Sequence, residues 1–599
     1  MFLRSVLARW TTPRCVRCVV ITTRRGLLTR AFVRGPEDPP LLKQTIGEHF
    51  AGIVREHGDR TAVISRHQQS RLTYDELDRE SDALAQGLKK LNVKKGDRCA
   101  VMLGNCVEYA TVTYALFKLG AVLVPLNPAF NAPQVISALN HLAAEHLLLS
   151  AETNLPRKPP RSNVPLLSQL APNLGRACKS ETVPSLANVV LVDNSAGRID
   201  VSSLRCMIPY EHVVEDGRGQ HLGDQGLSAD EVVNIQFTSG TTSMPKAACL
   251  THTSILNNGK SIGDRMLLTP EDIVCCPPPL FHCFGCILGY MATATHGSAI
   301  VFPTEAFDSA AALHAVQDYA CTALYGVPTM FLAELELLST GAVPRFGLSQ
   351  LRTGIAAGSS IPAELMRRLH RELNLTELTI CYGMTETSPV SAMTTTDDPL
   401  VKRVDTVGRV LPHVSAKVVD PHDWGRVLGV GERGELAVSG YLVMKGYWGD
   451  EARTADVLQA DAEGRVWMHT GDEALIDADG YVKITGRIKD LIIKGGENIH
   501  PLEIENCLLA HAAVADVSVV GLPDERYGET VAAFVVVHHG ARIGADEVRG
   551  WVREKLSHHL VPKYVFWVED FPKTASGKIQ KFKLRERGLR LLAEGKGES

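Results

Sequence analysis

No apolar run in this chain of 599 residues approaches the roughly 18 residues that a membrane-spanning helix needs. Neither sign of charge dominates: 63 Lys and Arg face 67 Asp and Glu, which argues against nucleic acid as a main partner. The 14 cysteines include two distant CxxC pairs, Cys15/Cys18 and Cys283/Cys286, but no CxxC…HxxxH spacing, so neither a disulfide framework nor a zinc module is written into them. Free thiols in a reduced compartment are expected, and the pair Cys15 and Cys18 lies in a segment expected to be removed. The Walker pattern GxxxxGK[ST] is missing, internal repeats are missing, and the C-terminal Gly-Lys-Gly-Glu-Ser is not a peroxisomal tail.

What is present begins with a basic arm. Arg4, Arg9, Arg14, Arg17, Arg24, Arg25, Arg30 and Arg34 precede the first acid, Glu37, with hydroxylated and apolar residues between them. That composition predicts a mitochondrial transit peptide over residues 1–34, cut near Arg30-Ala31-Phe32, and hence the matrix; peroxisome or cytosol is the alternative. The length requires at least two domains. From about residue 45 strands and helices alternate. Thr73-Tyr74-Asp75-Glu76 forms a capping box ahead of Leu77, Leu84, Leu88 and Leu91, followed by a strand at 99–103, a helix at 107–119 and a strand at 121–126. This rhythm predicts parallel sheets covered by helices. Residues 152–186, rich in Pro, Ser, Asn and Arg, read as a surface insertion. A hairpin over 473–485 precedes a composition change near 486, after which a small α/β unit follows, with a helix at 502–509, strands at 516–520 and 532–537, and a helix at 545–556.

The segment richest in chemistry is Thr238-Ser239-Gly240-Thr241-Thr242-Ser243-Met244-Pro245-Lys246-Ala247, directly after the strand-like run 232–237. Hydroxyls and backbone N–H groups around a glycine can cradle a polyphosphate, with Lys246 as a point charge. Alone, such a loop also reads as a surface turn. Downstream lie Tyr382-Gly383-Met384-Thr385-Glu386, Thr470-Gly471-Asp472 with Arg487 fifteen residues further on, and Ser576-Gly577-Lys578. Tyr382 offers a flat face for a base, Glu386 a hard oxygen for Mg²⁺, and Asp472 a carboxylate able to accept two hydrogen bonds. Each of these alone also reads as a turn or a strand end.

Taken in order, these segments resemble the adenylate-forming enzymes, the superfamily of acyl-CoA synthetases, luciferases and peptide-synthetase adenylation domains, over about residues 45–590. Val443-Met444-Lys445-Gly446-Tyr447-Trp448-Gly449, Ser557-His558 and the run Ile579 to Glu586 most resemble mitochondrial medium-chain-type acyl-CoA synthetases. The resemblance implies an α/β fold: a large N-terminal domain over 45–485 with parallel-type sheets, helices and a small barrel-like part, a hinge at 486–490, and a small mobile C-terminal domain over 491–590. It implies that Thr238, Ser239, Gly240, Thr241, Thr242, Ser243, Pro245 and Lys246 hold ATP phosphates, although Ser243 and Ala247 stand where glycine is usual. It further implies that Tyr382 and Gly383 meet adenine, Thr385 the α-phosphate, Glu386 the metal, and Asp472 and Arg487 the ribose. Lys578 is implied as the catalytic lysine, Lys489 as the hinge residue, and Gly495 and Gly496 as part of a tunnel for coenzyme A. His282, in Pro279-Leu280-Phe281-His282-Cys283-Phe284-Gly285, stands where the family has a histidine near the substrate carboxylate, with Tyr325 and Gly358 in the acyl pocket. Ala357-Gly358-Ser359-Ser360 departs from the usual Gly-Gly-Ala/Ser. His282 also reads as a structural histidine, Gly495-Gly496 as a tight turn, the five cysteines from Cys249 to Cys286 as packing, and Lys581, Lys583 and Arg585 as a solvated face.

The expected function is a ligase that joins a carboxylic acid, of medium chain length on the resemblance, to coenzyme A through an acyl-adenylate, with ATP and Mg²⁺. The small-molecule acid, ATP and coenzyme A are its partners; no nucleic acid and no transmembrane segment are expected. Two alternatives are an adenylating ligase that loads a specialised acyl group for a biosynthetic pathway or a carrier protein, and a non-catalytic acyl- or nucleotide-binding protein.

Overall fold

A computed structural model describes residues 28–175, 179–238, 246–358, 361–538, 540–574 and 578–595. Local signals in the sequence translate directly into its first helices. Glu76 N–H donates to Thr73 Oγ1 (3.2 Å) and Thr73 N–H to Glu76 Oε2 (2.8 Å), closing the capping box that starts the helix Tyr74–Lys90. Leu77, Leu84 and Leu88 on that helix are buried. The helix Val107–Leu119 ends at Gly120 in a left-handed conformation and is buried almost all round, which is why it reads as a continuous apolar run.

Two large sheets form the body of the N-terminal domain. In one, the strands Ile208–Pro209, Asn188–Val192, His146–Ser150, Arg98–Met102, Val122–Pro125 and Val232–Thr238 run parallel, and Lys246–Thr251 closes the edge antiparallel. The other has nine strands, with Glu377–Gly383, Thr353–Ala356, Ala323–Gly326, Ile273–Cys275, Ala299–Phe302 and Thr61–Ser65 parallel at its centre. One apolar cluster fills the space between the sheets, where the helices Ile46–His57, Tyr74–Lys90, Val107–Leu119 and His252–Met266 lie, and two more cover the outer faces. A third, antiparallel sheet carries Val414–Asp420, Gly434–Gly440, Val466–Ile476 and Val482–Arg487 and makes the half-barrel. Thr238, Gly326, Ala356 and Gly383 all stand at the C-terminal ends of parallel strands, the edge at which open α/β sheets bind ligands.

The small C-terminal domain is a five-stranded sheet, centred on the long hairpin Val514–Asp524 and Gly528–Val537, with helices Pro501–Leu509, Ala545–Lys555 and Lys581–Ala593. Its two apolar clusters contain no residue before 490, and the other three contain none after it.

Three expectations need correction. Part of the stretch 152–186 is not surface: Leu166, Leu167, Leu170, Val183 and Leu186 are buried in an outer-face core, their spacing masked by the polar residues between them. Lys581 is not part of a solvated face, since its Nζ pairs with Glu505 at 2.7 Å, whereas Arg585 is exposed and pairs with Glu529 at 2.9 Å on the surface of the small domain. The fold also begins earlier than residue 45. Phe32–Arg34 pairs antiparallel with Ser415–Lys417, and Ala31 is fully buried, so a leader ending at 34 overlaps a strand of the half-barrel.

Glu334, on the helix Pro328–Thr340, is fully buried with neither carboxyl oxygen hydrogen-bonded, and burial pushes its carboxyl far above the usual range. Cys99, Cys106, Cys249, Cys275, Cys276, Cys283, Cys286, Cys321, Cys381 and Cys507 are free thiols. No helix among the described residues is long and apolar enough to cross a membrane.

Candidate active site

The strand Val232–Thr238 turns back into Lys246–Thr251 with Thr238 opposite Lys246. Ser239, Gly240, Thr241, Thr242, Ser243 and Pro245 lie outside the described residues. The returning strand is flanked on its far side by 445–448: Trp448 N–H donates to Ala247 O (2.8 Å) and Cys249 N–H to Gly446 O (2.9 Å). That pairing delivers Tyr447 to the centre of the site. Its hydroxyl donates to Glu386 Oε1 at 2.7 Å, while Lys246 lies over its ring, 4.8 Å from the centroid. Burial and then the Glu386 charge push the Tyr447 phenol far above its usual range, so it remains a donor.

Glu386 reaches this position from the strand Glu377–Gly383. A Cβ at Gly383 would meet Pro389 O at 1.7 Å, so only glycine fits there, and the chain then makes a short helical turn through Thr385–Thr387. Glu386 and Thr385 are buried, and Thr385 Oγ1 lies 3.8 Å from Cys283 Sγ. Tyr382 is linked to the half-barrel instead. Its hydroxyl donates to Asp472 Oδ2 at 2.6 Å, and Arg487 Nε lies 3.2 Å from Asp472 Oδ1. Asp472 and Arg487, fifteen residues apart in sequence, are direct neighbours across a hairpin. Burial pushes the Asp472 carboxyl up, and Arg487 and Tyr382 pull against it.

His282 precedes an eight-residue π-helix, Phe284–Met291, a form common at functional sites. Phe284 N–H donates to His282 Nδ1 at 3.2 Å, so in the neutral ring the proton sits on Nε2. Burial, and then the positive charge of Lys578, push this imidazole down to about 3. Burial likewise pushes the Cys283 thiol up to about 11, and Cys249, Cys275, Cys276 and Cys286 are all buried, as packing requires. Tyr325 presents only its ring, tilted at 6.1 Å from Phe284, because its hydroxyl donates to Met266 Sδ away from the cleft. Gly358 is exposed at φ +94°, and Ser359 and Ser360 fall outside the described residues. The wall is not wholly apolar: buried Gln236 donates to Cys286 Sγ at 2.9 Å, a partner that accepts only weakly.

From the small domain, Lys578 is held at the base of its loop, where Thr574 N–H donates to Lys578 O (2.8 Å) and Lys578 N–H to Thr574 Oγ1 (3.1 Å). The positive charge of Lys578 bears on His282, Cys283 and Asp472 across the domain boundary. Lys489 is exposed in the short turn Ile488–Asp490, next to Gly486 at φ +155°. Gly495 (φ +63°) and Gly496 (φ +87°) form the two-residue turn between Ile492–Lys494 and Glu497–Ile499; positive φ at both central residues is the type I′ hairpin geometry.

Sequence reasoning missed Tyr447 and Gln236 as site residues. Tyr447 lay inside a segment noted only for likeness, and no spacing relates it to Glu386; the link arises from the strand-like pairing of 445–448. Gln236 sat within a run read simply as a buried strand.

Two sheets meeting at their C-terminal edges, a half-barrel carboxylate paired to a hairpin arginine, and a lysine presented by a separate small domain define an adenylate-forming enzyme. The profile of the AMP-binding enzyme family matches residues 50–448, and that of the AMP-binding enzyme C-terminal domain matches 503–578; the chain belongs to this family. It is an AMP-forming acid–CoA ligase, acting through an acyl-adenylate. Among its relatives, an acyl-CoA ligase SID4 from Ajellomyces capsulatus is 44% identical over 94% of each chain. The mitochondrial medium-chain acyl-CoA ligase ACSF2 of Danio rerio is 36% identical over 94% of this chain and 91% of its own. Among solved structures, ATP-bound MatB from Rhodopseudomonas palustris superposes with a TM-score of 0.76 at 26% identity, covering 91% of this chain and 99% of MatB.

Proposed function

We propose that the chain activates a medium-chain aliphatic acid in the mitochondrial matrix, and that the residues gathered at the cleft divide the work as follows. In the first step the acid's carboxylate oxygen attacks the α-phosphorus of ATP, a P–O bond to pyrophosphate breaks, and acyl-AMP forms. Lys246 and the loop from Thr238 hold the departing phosphates, and Lys578 offsets the charge that builds on the phosphorus oxygens and the leaving group. Neutral His282 points its Nε2–H toward the carboxylate. Tyr382 and Gly383 bound the adenine, Thr385 the α-phosphate, and Asp472 with Arg487 the ribose. Glu386 fits a divalent cation by its chemistry, a buried hard-oxygen donor whose Oε2 carries no hydrogen bond among the described residues. Bound there, Mg²⁺ supplies charge neutralisation on the phosphates. In the second step the thiol of coenzyme A attacks the acyl carbon, the C–O bond to AMP breaks, and AMP leaves. For this step the small domain, from 491 on, turns about 486–490, and the Gly495-Gly496 turn lines the thiol's approach.

The observation that carries this reading is the constellation in which Asp472 is held by the Tyr382 hydroxyl and by Arg487, together with the Tyr447–Glu386 pair. The acyl chain is assigned from the ACSF2 relatives and the mostly apolar wall around Phe284 and Tyr325. Each buried methylene contributes about 0.8 kcal/mol, so kcat/KM plotted against chain length should climb and then fall, with its peak between acetate and very long chains. A second reading, a specialised acyl group bearing a polar substituent, is favoured by Gln236 in the wall and by higher identity to ligases named without a chain length. Pyrophosphate release with a panel of acids, with and without coenzyme A, tests both. A flat profile, or a preference for hydroxylated or aromatic acids, refutes the first. The matrix assignment follows the basic arm and the mitochondrial relatives, with the leader ending before the strand Phe32–Arg34. Mass spectrometry of the N-terminus from purified organelles decides it, and an intact Met1 in a cytosolic or peroxisomal fraction overturns it.

A further inference from the structure

The two domains share no apolar cluster, so polar contacts must set their relative pose. One such contact stands directly beside the ribose carboxylate. Glu473 follows Asp472 on the strand Val466–Ile476, is 8% exposed, and accepts a hydrogen bond at Oε2 from Thr485 Oγ1 on the neighbouring strand. Across the expected hinge, His500 is 9% exposed and brings Nδ1 to 3.0 Å from the same Oε2. His500 is the residue that opens the helix Pro501–Leu509, but its side chain makes no cap bond to that helix. Its Nδ1 must carry a proton, since a bare lone pair at that distance from a carboxylate oxygen is repulsive. The contact departs from ideal hydrogen-bond geometry, so it is a close polar contact of an N–H with a carboxylate oxygen and not a fully directed bond. Burial opposes the charge on Glu473, yet His500 and Thr485 together hold its carboxyl below the usual range.

Glu473 lies before residues 486–490 and His500 after them, and Glu473 is register-paired with Gly486 itself. Any rotation of the small domain about that segment therefore pulls the pair apart. We propose that His500 is a positioning residue: its pair with Glu473 holds the small domain in the pose in which Lys578 faces the adenylation site, and it opens before thioester formation. The proposal rests on the two-pose reading of the domains given above. It predicts opposite effects on the two half-reactions, which a merely structural role does not.

The test measures pyrophosphate release and, separately, thioester formation from a supplied acyl-adenylate, in wild type, His500→Ala and His500→Gln. His500→Ala should slow adenylation by about three- to tenfold, the scale of one lost polar contact, while thioester formation is unchanged or faster. His500→Gln, which retains an N–H donor of similar size, should recover most of the adenylation rate. Without nucleotide, trypsin should cut at Arg487 or Lys489 faster in His500→Ala than in wild type. A parallel loss in both half-reactions, or no change in either the rates or the cleavage, overturns the proposal. If wild type itself makes no acyl-adenylate or thioester, the reading of the reaction fails instead.

Discussion

Replacing Tyr447 by Phe removes one oxygen and keeps the ring. The hydroxyl donates to Glu386 Oε1 at 2.7 Å, and both side chains are buried, so no water can take its place without rearrangement. A hydrogen bond to a charged group contributes about 1.5–3 kcal/mol, which converts to about a 10- to 150-fold change in rate. Outer partners of metal-binding carboxylates give a similar range, about 10- to 100-fold on substitution. We therefore expect Tyr447→Phe to lower kcat/KM for adenylation by about 10- to 100-fold and to raise the Mg²⁺ concentration needed for half-maximal activity. The substitution also removes the 3.4 Å hydrogen bond from Lys246 Nζ to the hydroxyl, but the ring keeps its cation–π contact with Lys246 and the strand pairing of 247–249 with 446–448 is untouched. The assay is pyrophosphate release at fixed ATP over a Mg²⁺ series, beside thioester formation from a supplied acyl-adenylate. A change of less than about twofold in both quantities, against the range expected for such a partner, refutes an orienting role for Tyr447. An equal loss in both half-reactions assigns the effect to packing.

Lys578→Ala should reduce adenylation by about 10²–10³ and leave thioester formation from acyl-adenylate largely intact; equal losses would contradict the division of labour between the two steps. Glu334→Met should stabilise the protein at pH 7 by about 1–3 kcal/mol, because it removes a buried carboxyl without a partner. The folded-state carboxyl is raised, so wild type loses stability as pH rises, and the gain measured by denaturant unfolding should shrink below about pH 4.5; no gain at pH 7 means that Glu334 has a partner. His252 is buried and accepts the Ile46 N–H at 3.3 Å, and burial pushes its ring down to about 4. Its neutral form is the one the fold favours, so stability should fall by about 3 kcal/mol as pH drops from about 6.5 to about 4; His252→Asn should flatten that slope, and an unchanged slope sinks the assignment.

Much of the fold was legible because its signals are local. The capping box at Thr73, the helix Val107–Leu119 and the hairpin before Gly486 each follow from a few adjacent residues. The ordered segments around Tyr382, Asp472 and Lys578 were legible as a set, since their types and spacing match one chemistry. What the sequence hid was long-range. Tyr447 reaches Glu386 only because 445–448 pair along the returning strand, and Lys581 finds Glu505 only across the small domain. The buried leucines between 166 and 186 were hidden by polar neighbours, and Phe32–Arg34 by its place inside a basic arm.

That short N-terminal strand also bears on the order of assembly. Phe32 is among the first of the described residues to be made, yet its partner Lys417 is made nearly four hundred residues later. Closing so long a loop is entropically costly and late. During synthesis, and during any passage of the chain through a membrane pore from its N-terminus, the half-barrel therefore stays open at this edge.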